Sequence, residues 1–272
     1  MSNIVLITGA SSGMGLASVQ FLADNGFKVY ATSRDKKRLS AIKQTNIIPI
    51  SLDIRSQKEI DEVVQSIVQY EKKIDVLINN AGYGVVSSIE NMNEDEMLNQ
   101  FDINVFGTLR VTKAVIPHMR KANNGVIINI SSFLGKIGLP LFTLYNASKY
   151  AVEGITDSLR YELSDFNIRV HSILPGFFDT EFARGNLVKN LETFNENSAY
   201  KSLVSNLTPK IVEQINHGND ASDVARLILE IINNKKFPAR ITVGDKAKKF
   251  IPMRRELSDE DFERRVKEYY NL

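Results

Sequence analysis

The side chains best placed for chemistry are Tyr145 and Lys149, which lie four residues apart in the segment YNASK. On a helix, positions i and i+4 share one face, so the Lys149 ammonium can lie beside the Tyr145 phenol. A nearby cation favours the phenolate, and we expect the tyrosine pKa to fall from about 10 towards neutrality. Such a phenol suits proton transfer between an alcohol and a ketone. By itself the spacing is weak evidence, because about one such pair is expected by chance and is usually a surface pair.

A glycine-rich segment, TGASSGMG at Thr8–Gly15, follows the first apolar run and opens an amphipathic stretch. Glycines at this junction allow a tight turn and a close approach to a pyrophosphate at the helix N-terminus. The spacing differs from the dehydrogenase G-x-G-x-x-G pattern, lacks the lysine of a Walker A loop, and also fits a plain strand–helix turn. Its position favours a dinucleotide site. The residues expected to contact the dinucleotide here are Gly9, Ser11, Ser12, Gly13, Met14 and Gly15.

The end of the second apolar run predicts which dinucleotide is bound. An acidic residue at this place accepts a hydrogen bond from the adenosine 2′-hydroxyl and repels a 2′-phosphate. Here Ser33 takes that place and Arg34 follows it. A guanidinium pairs well with a phosphate, so the sequence favours NADP over NAD. The alternative is that the basic run Arg34–Arg38, which also contains Asp35, is simply solvated.

The elements that position these residues alternate along most of the chain. Short apolar runs that read as buried strands are separated by helix-length amphipathic stretches. This alternation predicts an α/β fold, a Rossmann-like, doubly wound parallel seven-stranded sheet with helices on both faces, in one domain spanning 1–272. Asp220 and Ser258 are expected helix caps, and Ser56 is expected to form a capping box with Glu59. The predicted strands are Ile4–Thr8, Lys28–Ser33, Ile47–Leu52, Val76–Asn79, Val126–Ile130, Arg169–Leu174 and Arg240–Val243.

Composition removes several classes of function. Lys plus Arg (34) nearly balance Asp plus Glu (32), so no global field steers the chain to nucleic acid or anionic lipid. With no cysteine and three histidines, no metal site, thiol nucleophile or histidine-based triad is expected. No basic leader and no apolar run of about 18 residues occurs, so we expect a cytoplasmic protein. The chemistry must come from oxygens, lysines or a cofactor.

Residues 180–220 interrupt the alternation with about forty positions lacking a strand pattern. A long insertion of this kind is usually functional, and its apolar side chains predict a helical lid over a substrate. The alternative is a pair of packing helices. Residues 245–272 form a predicted C-terminal helical extension, which either adds subunit contacts or covers the pocket.

Taken together in chain order, these motifs resemble the short-chain dehydrogenase/reductase family, in its subgroup of about 250 residues. The resemblance spans Ile4 to about Gly244. It depends on the glycine-rich segment, the YNASK segment and further matches between and after them. These further matches are Asp53, Asn79-Asn80-Ala81-Gly82, Asn104, Ile130-Ser131-Ser132 and Pro175-Gly176-Phe177-Phe178-Asp179-Thr180.

The resemblance implies a role for each matched position. Tyr145 is the implied acid–base, and Ser132 the implied hydrogen-bond donor to the substrate oxygen, with Ser131 the weaker candidate. Lys149 binds the nicotinamide ribose, and Asn104 holds a water that links Lys149 to solvent. Asp53 and Ile54 are implied to contact the adenine, and Asn80, Ala81 and Gly82 to form the floor of the cofactor site. Pro175, Gly176, Phe178 and Thr180 are implied to hold the nicotinamide end. Phe178 and Thr180 are the residues implied at its carboxamide.

The implied activity is an NADP-dependent hydride transfer between nicotinamide and a ketone, aldehyde or secondary alcohol. Apolar residues after Ser132 and around Tyr83 predict a lipophilic small-molecule substrate, as does a resemblance of Pro238–Gly244 to steroid- and retinol-type members. Those apolar residues fit core packing equally well. The alternatives are a non-catalytic NADP-binding sensor or scaffold, and a longer sugar-nucleotide epimerase. The family also implies a homodimer or homotetramer through the helices bearing Asn104 and Tyr145.

Overall fold

The computed structural model describes residues 3–39, 42, 44–180 and 185–272 and contains one main sheet. Its seven strands are all parallel, in the order β3-β2-β1-β4-β6-β7-β9. The predicted fold class is confirmed, and five predicted strand boundaries move by only one residue. The strands are β1 (Ile4–Ile7), β2 (Lys28–Ser33), β3 (Ile47–Ser51), β4 (Val76–Asn79), β5 (Gly84–Val86), β6 (Gly125–Ile130), β7 (Ile168–Pro175), β8 (Leu187–Lys189) and β9 (Arg240–Val243).

Helices cover both faces of this sheet. The described helices are α1 (Gly13–Asp24), α2 (Gln57–Glu71), α3 (Glu94–Phe101), α4 (Thr108–Ala122), α5 (Thr143–Glu162), α6 (Lys201–Asn216), α7 (Ser222–Asn233), α8 (Asp245–Glu256) and α9 (Asp259–Tyr270). Helices α1 and α7 pack on one face, and α2, α4 and α5 on the other. Because β1, β4 and β6 are buried on both faces, their sequences are continuous apolar runs. Among the described helices none is long and apolar enough to cross a membrane.

The helix caps match the sequence in part. Ser258 caps α9 by accepting from the Asp261 amide at 3.1 Å, as predicted. Ser56 accepts from the Glu59 amide, but the Glu59 carboxylate accepts from the Asp53 amide, so the reciprocal half of the capping box is absent.

The prediction that Asp220 caps α7 is wrong by one residue. Ala221 is the N-cap, and the Asp220 carboxylate accepts from the Ser222 amide at 2.7 Å. A carboxylate two residues before an amide closes a local turn that competes with the capping geometry.

The expectation of no strand between 180 and 220 is also wrong. Strand β8 pairs in parallel with β5 and forms a separate two-stranded sheet. The three residues of β8 carry no alternating pattern of their own, because the strand exists only by pairing with β5. Helix α6 follows, with Leu207, Ile211 and Ile215 buried. We call residues 185–193 the strap.

Polar side chains anchor the strap to the loop after β5. The hydroxyl of Thr193 is fully buried and accepts from the Ser88 amide at 3.1 Å. The Asn190 amide group donates to the Glu96 carboxylate at 2.9 Å and to the Asn91 carbonyl at 3.1 Å. Buried hydrogen bonds of this kind hold a segment that has few backbone contacts of its own.

The C-terminal helices cover an apolar cluster next to α5. Phe250 of α8 and Tyr270 of α9 are fully buried, with their rings stacked 6.2 Å apart. Phe250 also lies 6.3 Å from Phe133, which follows Ser132 in the chain. The extension thus packs against the segment that follows Ser132.

Candidate active site

A cleft of about 940 Å³ opens at the carboxyl ends of β1 to β4, where ligands bind in doubly wound sheets. It contains most of the residues predicted for the dinucleotide. The predicted residues that line it are Gly9, Ser11, Ser12, Gly13, Met14, Gly15, Ser33, Arg34, Asp53, Ile54, Asn80, Ala81, Gly82, Tyr145, Lys149 and Thr180. The sequence thus identified one continuous surface from motifs that lie up to 170 residues apart.

The glycine-rich turn has no room for side chains. Gly9 has φ +66°, and a Cβ there would lie 2.6 Å from the Ala81 Cα. A Cβ on Gly15 would lie 2.5 Å from the Asn80 amide nitrogen. Ser12, the N-cap of α1, makes no side-chain capping bond. The first amides of α1 therefore face the cleft without a side-chain cap, and the turn fits a pyrophosphate.

A hydrogen-bonded tie joins this turn to the loop after β4. The Thr8 hydroxyl accepts from the Asn80 and Ala81 amides, each at 3.1 Å. In return, the Asn80 side chain donates to the Gly9 carbonyl at 2.8 Å. These bonds keep the two walls of the cleft at a fixed separation, and this is the structural reason for Asn80 in the NNAG segment.

Cations surround the end of the cleft next to β2. Ser33 is buried, and Arg34 is exposed and lines the cleft. Arg55 grips the Asp53 carboxylate with bonds of 2.6 to 3.1 Å. The Arg55 guanidinium, more than any other group, holds the Asp53 pKa below its usual value, and Arg34 contributes in the same direction. The negative charge at this end is thus matched by neighbouring arginines.

Tyr145 lies in the first turns of α5 and is buried, at 8% exposure. Its hydroxyl is hydrogen-bonded to the Ser132 side chain. Ser132 also accepts from the Leu134 amide at 3.1 Å, which fixes its side chain at the start of the 3-10 turn Phe133–Gly135. Ser131 lines the cleft, but its hydroxyl makes no hydrogen bond to the described residues. The structure therefore pairs Ser132, and not Ser131, with the phenol.

The expectation that Lys149 lowers the Tyr145 pKa is wrong for this structure. Burial raises the pKa of Tyr145 to about 12, and the bond with Ser132 opposes that rise. Burial also lowers the pKa of Lys149 to about 8, with Glu153 opposing the fall. Helix geometry brings the two groups together, with the ammonium 5.7 Å from the phenol ring centre. The i+4 argument left out desolvation, which acts against both charges.

Asn104 lies in a π-helical turn, Asp102–Gly107, between α3 and α4. Its side-chain oxygen accepts from the Tyr83 amide at 3.1 Å, and its nitrogen donates to the Ser148 hydroxyl at 3.1 Å. A Cβ on Gly82 would lie 3.2 Å from that oxygen and 3.8 Å from the Lys149 ammonium. Asn104 and Lys149 thus both lie close to Gly82, on the side where a Cβ would point. Wide turns of this kind are frequent at functional sites.

The comparisons with known proteins agree on one family. A family model described as short chain dehydrogenase matches residues 3–190. A 3-ketodihydrosphingosine reductase of Bacteroides thetaiotaomicron is 38% identical over 242 residues, which cover 89% of this chain and 87% of the relative. The chain belongs to the short-chain dehydrogenase family. It is an oxidoreductase of the class that acts on CH–OH and C=O groups.

Solved structures agree with this short-chain dehydrogenase fold. One from Streptomyces avermitilis aligns with a TM-score of 0.86 and 30% identity, covering 100% of this chain and 97% of that chain. The structure of ElxO with NADP bound aligns with a TM-score of 0.74 and 26% identity, covering 89% and 97%.

Three predicted cofactor residues of this short-chain dehydrogenase do not line the cleft. Gly176 packs against α8, where a Cβ would lie 2.9 Å from the Ala247 amide. The Phe178 ring is buried in the core, and Phe178 forms a bridge with Asn219. Pro175 ends β7. Thr180 lines the cleft and lies 3.1 Å from the Cβ position of Gly13, so it closes the glycine-rich turn.

Sequence reasoning missed several residues of the cleft. Arg55, Glu96, Asn186 and Val188 all line it. Arg55 lies two residues after Asp53, and this spacing was the only available signal for it. Asn186 and Val188 line the cleft from the strap and Glu96 from α3, and no local pattern encodes either placement.

Tyr145 also belongs to an apolar cluster. Leu187 and Phe194 of the 180–220 insertion pack against it, and α6, α8 and α9 complete it. Every predicted wall residue from Phe133 to Phe142 is buried in this cluster. The members from that segment are Phe133, Leu134, Ile137, Leu139, Leu141 and Phe142.

Proposed function

We propose that this chain uses NADPH to reduce a lipophilic ketone or aldehyde. In the reverse direction it would oxidise a secondary alcohol. One observation carries the proposal: Tyr145, hydrogen-bonded to Ser132, belongs both to the lining of a cleft with several arginines and to an apolar cluster. A site placed in this way can join a nucleotide on one side to a hydrophobic substrate on the other.

The cleft fits a dinucleotide on the evidence of its own residues. The space left by Gly9, Gly13 and Gly15 and the side-chain-uncapped start of α1 suit the pyrophosphate. Asp53 and Ile54 would hold the adenine, Asn80 to Gly82 the floor, and Lys149 the nicotinamide ribose. Thr180 and the backbone near Phe178 would hold the carboxamide, with Pro175 and Gly176 supporting that loop.

NADPH is the preferred coenzyme in this proposal because of the charge next to β2. Ser33 leaves space where an acid would repel a phosphate, and the Arg34 guanidinium is exposed at the same edge. Arg38 lines the same edge. A 2′-phosphate would lie among cations, whereas a 2′-hydroxyl would lack a carboxylate acceptor at position 33.

The residues of the chain handle the proton of the reaction. When bound, the coenzyme supplies the hydride that reduces the carbonyl carbon. Tyr145 donates its phenolic proton to the carbonyl oxygen, so the C=O bond becomes C–OH. Ser132 donates a hydrogen bond to the same oxygen and stabilises its developing negative charge.

The electrostatics of the site suit the reducing direction. With a pKa of about 12, Tyr145 is protonated at neutral pH and is ready to act as the acid. The phenolate left behind is stabilised by the Lys149 ammonium, whose pKa is about 8. Asn104 would hold the water through which Lys149 exchanges protons with solvent.

The substrate is lipophilic in this proposal because apolar side chains surround Tyr145. A charged group of a substrate would be buried among these side chains without a partner, which is costly. An alkyl chain would instead make apolar contacts with them. The relative that is 38% identical is named for a sphingoid ketone, which has this character. The strap and α6 would act as the lid over this substrate. The exposed faces of α4 and α5 would form the contacts between two or four copies of the chain.

Turnover with a graded ketone series tests the proposal. We expect NADPH oxidation to become more efficient as the alkyl chain of a methyl ketone lengthens, and to be slower with NADH. Equal or faster reduction of short, charged keto acids would contradict the lipophilic assignment. NADPH binding with no turnover of any carbonyl compound would instead favour a non-catalytic sensor.

A further inference from the structure

Glu153 is a buried carboxylate one helical turn beyond Lys149 on α5. Its side chain is 2% exposed. One oxygen accepts from Arg240 Nε at 2.6 Å and lies 3.4 Å from Lys136 Nζ. The other oxygen is buried and makes no hydrogen bond within the described part of the chain. An incompletely satisfied buried charge is costly, so its presence here calls for a reason other than stability.

The two cations that pair with Glu153 come from elements next to the catalytic pair. Lys136 directly follows the 3-10 turn that starts after Ser132. Arg240 opens β9 and also pairs with Asp157, one further turn along α5. Gly135 fits between these groups: a Cβ there would lie 2.9 Å from the Lys149 carbonyl and 3.2 Å from Glu153 Cγ. Glu153 therefore joins the serine-bearing turn to the helix that bears Tyr145.

Glu153 is the carboxylate that acts on Lys149. It lies one turn further along the same face of α5, and the Lys149 ammonium lies 5.7 Å from the Tyr145 ring centre. From β6 the Ile130 carbonyl accepts from the ammonium at 2.9 Å, and the neutral Asn104 of the π turn lies close to it beside Gly82. Lys136 and Arg240 both pair with Glu153. Burial lowers the Lys149 pKa, and Glu153 is the one group that raises it.

Building on the proposed function, we propose that Glu153 is a positioning residue for the reaction. Its charge keeps Lys149 in the ammonium form, and its ion pairs hold the Ser132 turn against the Tyr145 helix. It touches neither substrate nor coenzyme. Lys136 moderates the effect, because its positive charge offsets part of the Glu153 charge.

The pH dependence of NADPH affinity tests this proposal without requiring turnover. A charged Lys149 binds the ribose hydroxyls, so affinity falls as pH rises through the Lys149 pKa. Glu153→Gln removes the supporting charge, and we expect the midpoint to move down by about one unit. Lys136→Gln, at a position only partly buried, should move it up by about half a unit. The kcat profile for ketone reduction should follow both shifts.

Asp157→Asn is the matched control, because Asp157 also pairs with Arg240 but is half exposed and lies a turn further from Lys149. Asp157→Asn should leave the pH midpoint of NADPH affinity unchanged. Glu153→Asp keeps the charge and should therefore keep the midpoint close to the wild-type value. If Glu153→Gln does not fold, the upward shift of Lys136→Gln decides alone. Unmoved midpoints in both charge variants, or an equal shift in Asp157→Asn, would overturn the proposal. A wild-type protein that binds NADPH but reduces no ketone would count against the proposed function only.

Discussion

The two halves of the site are built in different ways. The nucleotide half is made from short turns that directly follow β1 to β4, and each turn is recognisable in the sequence. The substrate half is made from side chains of the segment after Ser132, the strap, α6, α8 and α9, which are far apart in the chain. Tyr145 lies at the boundary and contacts both.

The difference lies in the kind of interaction that forms each half. Backbone geometry dominates the nucleotide half: positive φ at Gly9 and Gly13, helix amides, and the Thr8–Asn80 tie. Apolar packing dominates the substrate half, where many different side chains of similar volume would serve. The first half should therefore respond sharply to single small changes, and the second should respond gradually.

The largest effect should come from the boundary residue. Tyr145→Phe removes the proton donor while keeping the ring and its packing, and kcat should fall about a thousandfold. NADPH affinity, measured by fluorescence, should change little, because the phenol is a minor part of the nucleotide surface. A variant that keeps more than a few per cent of activity would show that another group supplies the proton.

The next largest effect should come from one methyl group in the nucleotide half. Gly15→Ala places a Cβ against the Gly9 carbonyl and the Asn80 side chain, so the turn must shift. A displacement of this kind should weaken NADPH binding about a hundredfold. Gly154→Ala is the control, since a Cβ there meets nothing within 4 Å. Equal losses in both variants would mean that the turn is not the binding element.

Arg34→Ala should change coenzyme choice. Removing an exposed guanidinium next to a 2′-phosphate should lower NADPH affinity about tenfold and leave NADH affinity nearly unchanged. The ratio of kcat/KM for the two coenzymes measures this. A parallel loss for both would show that Arg34 contacts a part common to them.

A substitution in the substrate half should change the free energy of unfolding and the KM for a ketone. Leu207 is fully buried in α6, and Leu207→Ala should lower the free energy of unfolding by about 3 kcal/mol. We expect KM for a long-chain ketone to rise several-fold with NADPH affinity intact. Leu191→Ala, at a position 84% exposed, should change the unfolding free energy by less than about 0.5 kcal/mol. A loss of NADPH binding in Leu207→Ala would contradict the independence of the two halves.

The smallest effect should be a fall in the rate of ketone reduction at high pH, because Lys149 serves both halves of the site. The Lys149 pKa is lowered to about 8, so its charge is present below that value and is lost as pH rises through it. Ketone reduction by NADPH should therefore fall above pH 8 in the wild-type protein. A rate that stays flat well above pH 8 would show that Lys149 keeps its proton in the bound complex.

Local sequence rules succeeded mainly where the deciding contact was near in the chain, with the Asp220 cap as the exception. The strand β2, the cap at Ser258 and the pairing of Tyr145 with Lys149 depend on neighbours within a few residues. Strand β8 was missed because its partner, β5, lies about a hundred positions away. The direction of the Tyr145 pKa was wrong because burial of the phenol in the folded chain raises it.

The sequence by itself determined the family, the parallel sheet and the dinucleotide turn, because periodicity, glycine geometry and motif order are local properties. The tertiary structure alone decided that the strap lines the cleft and that the C-terminal helices pack on the apolar cluster. It also decided that Glu153 lies behind Lys149 between Lys136 and Arg240. The desolvation of a charge depends on everything packed around it, so it is known only when all of those segments are in place.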